Sequence, residues 1–179
     1  MSTKFKVELY SQLELNNVAF RRDGRIEAQC ALDPASFSAA APAENGMLLA
    51  VDKKNGLVKL PTDDSLPIGL NYTAEHMYDE RKKGLRNFCL TPEDGFYPRI
   101  GYLAVGDTFT TNCLCHDMAD DDAMKTAVAG TATVYGGIDA SGRILVSTTK
   151  PTAGPVLLAV KGYSMPNGEY GVKFQVVSC

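Results

Sequence analysis

Tryptophan is absent from the 179 residues, histidine occurs twice, and aromatic side chains make up 8% of the chain. A surface that stacks bases or sugar rings needs more aromatic area than this, which counts against a carbohydrate-binding module or adhesin. No apolar run approaches the roughly 18 residues of a membrane-spanning helix. The opening MSTKFKVELYSQLELNN starts basic and then alternates polar with apolar residues, without the apolar centre of a signal peptide. Synthesis and retention in the cytoplasm are therefore expected, with exit only as part of a larger assembly. The formal net charge of −3 lacks the basic excess that neutralises phosphates, so neither a nucleic-acid partner nor a membrane partner is expected. Cysteines are few and odd in number: Cys30, Cys89, Cys113, Cys115 and Cys179. They are too scattered for a disulfide framework, and reduced thiols are the expectation.

Reactive constellations are equally sparse. Cys113-Leu114-Cys115-His116-Asp117 is the sharpest cluster, but on a strand Cys113 and Cys115 share one face and His116 takes the other. The pair is spaced more tightly than zinc-binding pairs, and no second pair exists, so two thiols in a β core are expected instead of a metal site. Asp120-Asp121-Asp122 lacks the alternation and central glycine of a calcium loop and reads as a solvated acidic loop. Glu75, His76, Asp79 and Glu80 surround a short helix with no nucleophile beside them. Gly136-Gly137 lies between two strands, so it is no phosphate loop. No catalytic, cofactor-binding or metal-binding residue is assigned. A small metal-dependent enzyme built on Cys113, Cys115, His116 and the acidic loop remains the rival from another class.

What the chain does contain is short apolar runs divided by turn dipeptides, and its 45% hydrophobic content is enough for a core. Phe5, Val7 and Leu9 alternate as on a strand, followed by Leu13 and Leu15. Asp33 to Pro42 is rich in Ala, Ser and Pro and reads as a surface-following loop with little core of its own. The N-terminal third is then either an arm that orders against a partner or a long loop on its own domain. From Met47, MLLAV, the turn Asp52-Lys53-Lys54-Asn55-Gly56 and LVKL form a hairpin signature. Pro67 and Gly69 place LPIGL at a sheet edge or bend. TAEHMYDERKKGL predicts one helix of two to three turns, capped by Thr73 and ended by Gly84. Everything after Pro98, including KTAVAGTATVYGGI, reads as β-strands separated by Gly106-Asp107, Gly136-Gly137, Ser141-Gly142 and Asn167-Gly168 turns. The expected class is mainly β: an antiparallel sandwich or barrel, with an extended arm over residues 1–44. Residues 45–179 form the β-rich domain, with a charged insertion around residues 73–95.

Three tracts carry a resemblance. NGMLLAVDKKNGLVKLPTDDSLPIGL (Asn45 to Leu70) resembles the entry hairpin of tailed-bacteriophage capsid decoration, or cement, proteins. FYPRIGYLAVGDTFTTN (Phe96 to Asn112) and GPVLLAVKGYSMPNGEYGVKFQVVSC (Gly154 to Cys179) are similar to phage virion structural proteins, in which a turn like Met165-Pro166-Asn167-Gly168 precedes the closing strand. The resemblance implies a β-tulip-like domain and a non-enzymatic role without cofactor. The chain would sit on the outer surface of the expanded capsid, bridging copies of the major capsid protein, as a homo-oligomer (dimer or trimer) made in the host cytoplasm. The long segment before Asn45 and the charged stretch from Thr73 to Asp94 depart from the smallest members of that group. They leave open a protein that staples neighbouring capsomers, or a tail-tube, neck or baseplate component. An arm of this kind joins a partner's sheet edge through main-chain hydrogen bonds. The expected contacts are Phe5, Val7, Leu9, Leu13 and Leu15, with Arg21 and Arg22 facing acidic capsid surface.

Overall fold

The protein is a mainly-β sandwich of open sheets. The structure, a computed structural model, describes residues 13–19, 30–62, 65–73, 89–165 and 168–179; for residues 14–19 it describes the backbone only. Seven strands form the larger sheet, in the spatial order β1 (Leu13–Ala19), β9 (Thr108–Thr111), β14 (Tyr170–Ser178), β13 (Val156–Ser164), β11 (Tyr135–Ile138), β12 (Ile144–Ser147) and β10 (Leu114–His116). Five more form the second sheet, in the order β2 (Ala31–Leu32), β5 (Leu57–Lys59), β4 (Leu48–Asp52), β6 (Ile68–Asn71) and β8 (Ile100–Tyr102). A third, minimal pair joins β3 (Ala43–Glu44) to β7 (Cys89–Leu90). The larger sheet ends in β1 on one side and β10 on the other, so it does not close into a barrel.

Strand β4 explains why the two sheets stay together. Its sequence, Leu-Leu-Ala-Val-Asp, is buried at all five positions, as expected where both faces of a strand are covered. Leu48 enters the first core, with Leu70, Phe109, Ile144, Leu157 and Phe174, while Leu49 and Val51 enter a second core with Leu32, Phe37, Val58, Leu90 and Ile100. Alternation along one strand thus feeds two cores. Phe109 and Phe174 face each other across β9 and β14, fully buried, with ring centroids 6.0 Å apart. Truncating either to alanine would cost about 3–5 kcal/mol by the usual cavity penalty.

Several expectations hold. The Asp52 to Gly56 hairpin forms, with Asp52 opposite Leu57, and the two closing strands β13 and β14 pair antiparallel along their length. All five cysteines are free thiols, and four of them are buried.

Others are corrected. The sheets are mixed, because β10 runs parallel to β12 and β2 parallel to β5. LPIGL is no edge: β6 pairs with β4 on one side and β8 on the other, and Pro67 stays just outside the strand, where no ladder bond is lost. The stretch read as acidic loop and strand contains helix α1 (Asp121–Ala129). Asp120 caps it by accepting from the Ala123 N–H at 2.7 Å, Asp121 and Asp122 lie in its first turn, where the helix dipole favours carboxylates, and Met124 and Val128 bury one face. Only then does the chain return to β, at Tyr135, and Gly136-Gly137 lies within β11, paired with Val146 and Leu145, instead of dividing two strands. The helix predicted from Thr73 to Gly84 falls, apart from Thr73, outside the described residues.

Candidate interaction surface

Phe5, Val7, Leu9, Arg21 and Arg22 lie outside the described residues. Leu13 opens β1 and is 7% exposed, turned into the first core of its own molecule. Leu15 lies within β1, but its side chain falls outside the described set. Among the described residues, strand β1 has one neighbour. It pairs with β9 through Leu13 opposite Thr111, Glu14 opposite Thr110 and Ala19 opposite Thr108, with a register shift between the last two. Thr110 is fully buried, and its hydroxyl has no hydrogen-bond partner among the described residues. Residues 30–44 are not separate from the body: Cys30, Leu32, Phe37 and Ala43 are buried in the second core. Between them, Pro34, Ala35 and Ser38 to Ala41 stay exposed, so the surface-following reading of Asp33 to Pro42 applies to most of that stretch, with Phe37 and Pro42 buried.

The Cys-His-Asp cluster is dispersed by the fold. Cys113 joins the second core and Leu114 the first, so this segment runs along the seam between them. The Cys115 thiol donates to Asp139 Oδ2 at 3.5 Å and to the Ile144 carbonyl at 3.7 Å. His116 Nε2 lies 2.9 Å from Asp121 Oδ1, Asp117 accepts from Ser147 Oγ at 2.8 Å, and Asp120 is spent on the helix cap. Among the described residues, no group of three or more His, Cys, Asp and Glu side chains is placed to hold a metal ion. His76 and its acidic neighbours fall outside that set. Among the described residues, no helix is long and apolar enough to cross a membrane.

A cleft of about 370 Å³ opens where the Phe37–Pro42 loop meets the turn before β12. Its apolar walls include Phe37, Pro42, Met47 and Leu60, and its polar residues are Ser36, Glu44, Ser141 and Arg143. The turn is held from several directions. Asp139 Oδ1 accepts from the Ser141 N–H (2.9 Å), the Ser141 hydroxyl (2.7 Å) and the Arg143 N–H (2.9 Å), an Asx turn with an added hydroxyl bond. Gly142 takes a positive φ of 79°, and its carbonyl accepts from the Leu48 N–H at 2.8 Å, tying the turn to β4. Arg143 Nη1 then donates to Ser141 Oγ at 3.2 Å, while Nη2 stands 3.9 Å from Glu44 Oε1, beyond hydrogen-bond reach. The Glu44 side chain is 5% exposed and that of Arg143 22%. Sequence reasoning missed this grouping. The Asp139-Ala-Ser-Gly-Arg143 turn carries a local signal, but nothing local links it to Glu44.

The chain matches no protein-family model, no curated protein and no solved structure.

Proposed function

We propose that this chain is a non-enzymatic virion structural protein. In this reading it binds the outer surface of an expanded phage capsid and stabilises the shell by bridging neighbouring copies of the major capsid protein. The tracts that resemble decoration proteins supply β4 to β6, β8 and β9, and β13 and β14; all of these but the edge strand β8 lie inside the two sheets. The observation that carries the reading is β1: a strand from the N-terminal segment added to the outer edge of the larger sheet, held by pairs near its two ends with a register shift between them. Such an edge strand is exchanged for a partner's edge at small net cost, because the main-chain hydrogen bonds lost within one molecule are regained between two. Binding that occurs only on the assembled shell stabilises the shell by mass action, and many copies make modest contacts effectively permanent. The protein would act as a dimer or trimer, without cofactor, nucleic acid or membrane.

Co-sedimentation of the purified chain with phage heads tests this, using compact procapsids beside expanded shells. Saturable binding to expanded shells alone is expected. Binding to neither, with rings or tubes formed by the chain alone, would overturn the reading in favour of a tail or neck component.

A further inference from the structure

The chain holds three Asn-Gly dipeptides: Asn45-Gly46, Asn55-Gly56 and Asn167-Gly168. Asparagine is a labile side chain, and a following glycine has no Cβ to shield its amide nitrogen. Once it has lost its proton, that nitrogen is a nucleophile beside the asparagine amide. We propose that Asn55 is a modification site, whose side chain closes on the Gly56 nitrogen and converts without an enzyme to aspartate and isoaspartate, ahead of the other two.

Water is the co-reactant. Hydroxide takes the Gly56 amide proton, and the nitrogen bonds to Asn55 Cγ. The Cγ–Nδ2 bond breaks, and the departing nitrogen takes a proton from water and leaves as ammonia, which restores the hydroxide. Water then opens the cyclic imide. Opening at Cγ gives aspartate, and opening at the main-chain carbonyl gives isoaspartate, in which the chain runs on through the side chain.

The fold separates the three dipeptides. Asn45 is 6% exposed, the Gly46 N–H donates to the Asn71 carbonyl at 2.8 Å, and the Thr111 and Cys113 side chains crowd the space beside Gly46. Attack there would break a buried hydrogen bond and would need water inside the core. The Gly168 N–H donates to the Met165 carbonyl at 2.8 Å, while Asn167 lies outside the described residues. Asn55 and Gly56 are exposed, in the turn between β4 and β5. The Gly56 N–H makes no hydrogen bond among the described residues, and no atom lies within 4 Å of the place a Cβ would take. Asp52 restrains Asn55, accepting from its N–H at 3.1 Å and from its side-chain amide at 2.6 Å. Both bonds belong to one short turn, which opens locally without unfolding the core.

The product changes the hairpin. A carboxylate replaces the amide that donated to Asp52 Oδ2, setting two like charges together. Isoaspartate also adds a main-chain carbon just before Gly56, whose carbonyl accepts from the Ala31 N–H at 3.0 Å and so helps to hold β2 on β5.

The test is peptide mass spectrometry of the full chain after incubation in mildly alkaline buffer, with and without urea. In the folded chain, conversion at Asn55 should run at least tenfold faster than at Asn45 and ahead of Asn167. Unfolding in urea should bring Asn45 within a fewfold of Asn55, since the dipeptides are then equally open. The isoaspartyl form, separated by its added negative charge, should exchange the Ala31 N–H severalfold faster than the unmodified chain. Asn45 or Asn167 converting first in the folded chain would overturn the assignment, as would an intact Asn55 in the folded chain beside conversion in urea. Unchanged exchange at Ala31 would overturn the coupling to β2.

Discussion

Asp52 accepts hydrogen bonds from Lys59 Nζ at 2.8 Å and from the side chain and backbone of Asn55 at 2.6 and 3.1 Å. The Lys59 bond, followed by those from Asn55, holds its carboxyl well below the ordinary value of 3.8. A depressed folded value means that the stabilisation is complete above the ordinary value and drains away as the pH falls below it. Acid unfolding of the native chain should therefore steepen below pH 3.8, and Asp52→Asn should flatten that limb; equal slopes in the two proteins would contradict the assignment. Gly69 sets a second test. A Cβ there would lie 2.5 Å from Ile100 Cγ2 and 2.8 Å from the Gly101 carbonyl, and the backbone atom cannot swing aside. Gly69→Ala should lower stability by about 1–3 kcal/mol in urea denaturation. Thr110 runs the other way. Its buried hydroxyl has no partner among the described residues, so Thr110→Val, which keeps the shape, should be neutral or raise the melting temperature. A clear loss of stability would mean that the hydroxyl is satisfied in solution.

At the scale of elements, α1 is the clearest case of a signal present but outweighed. Asp120 has the side chain of an N-cap, acidic residues follow it, and Met124 and Val128 are four apart. The Thr-, Val- and Ala-rich run beyond them reads as β by composition, and a strand there would have turned Met124 and Val128 to one face just as the helix does. The cap decides between the two. Asp120→Ala should cost about 1 kcal/mol, and Met124→Ala about 2–5 kcal/mol because Met124 is fully buried. Equal stability of Asp120→Ala and native chain in thermal unfolding would show that the cap contributes nothing. The Asp52 to Gly56 hairpin was legible because its strands, its turn and the Asp52 anchor all lie within twelve consecutive residues, Leu48 to Lys59. The place of β6 was not legible: Pro67 and Gly69 look like edge residues until β8 arrives from a distant part of the chain to pair beyond it.

At the scale of the whole molecule, what local pattern could not supply is adjacency. The mainly-β class followed from turn spacing, but the two parallel pairs, the shared role of β4 and the meeting of Glu44 with Arg143 are set by which strands neighbour which. The expected contact residues illustrate the same division. The sequence placed Leu13 after an alternating run, Phe5 to Leu9, and only the fold shows it turned into its own first core beside β9. Leu13 therefore reaches a partner only by leaving that edge. Strand donation joins residue, element and assembly, so the decisive comparison is co-sedimentation with expanded shells of the full chain and of a chain lacking Met1 to Asn16. Loss of shell binding by the truncated chain, with its β circular dichroism and cooperative unfolding retained, is the predicted result. Undiminished binding by the truncated chain would contradict donation by the N-terminal segment.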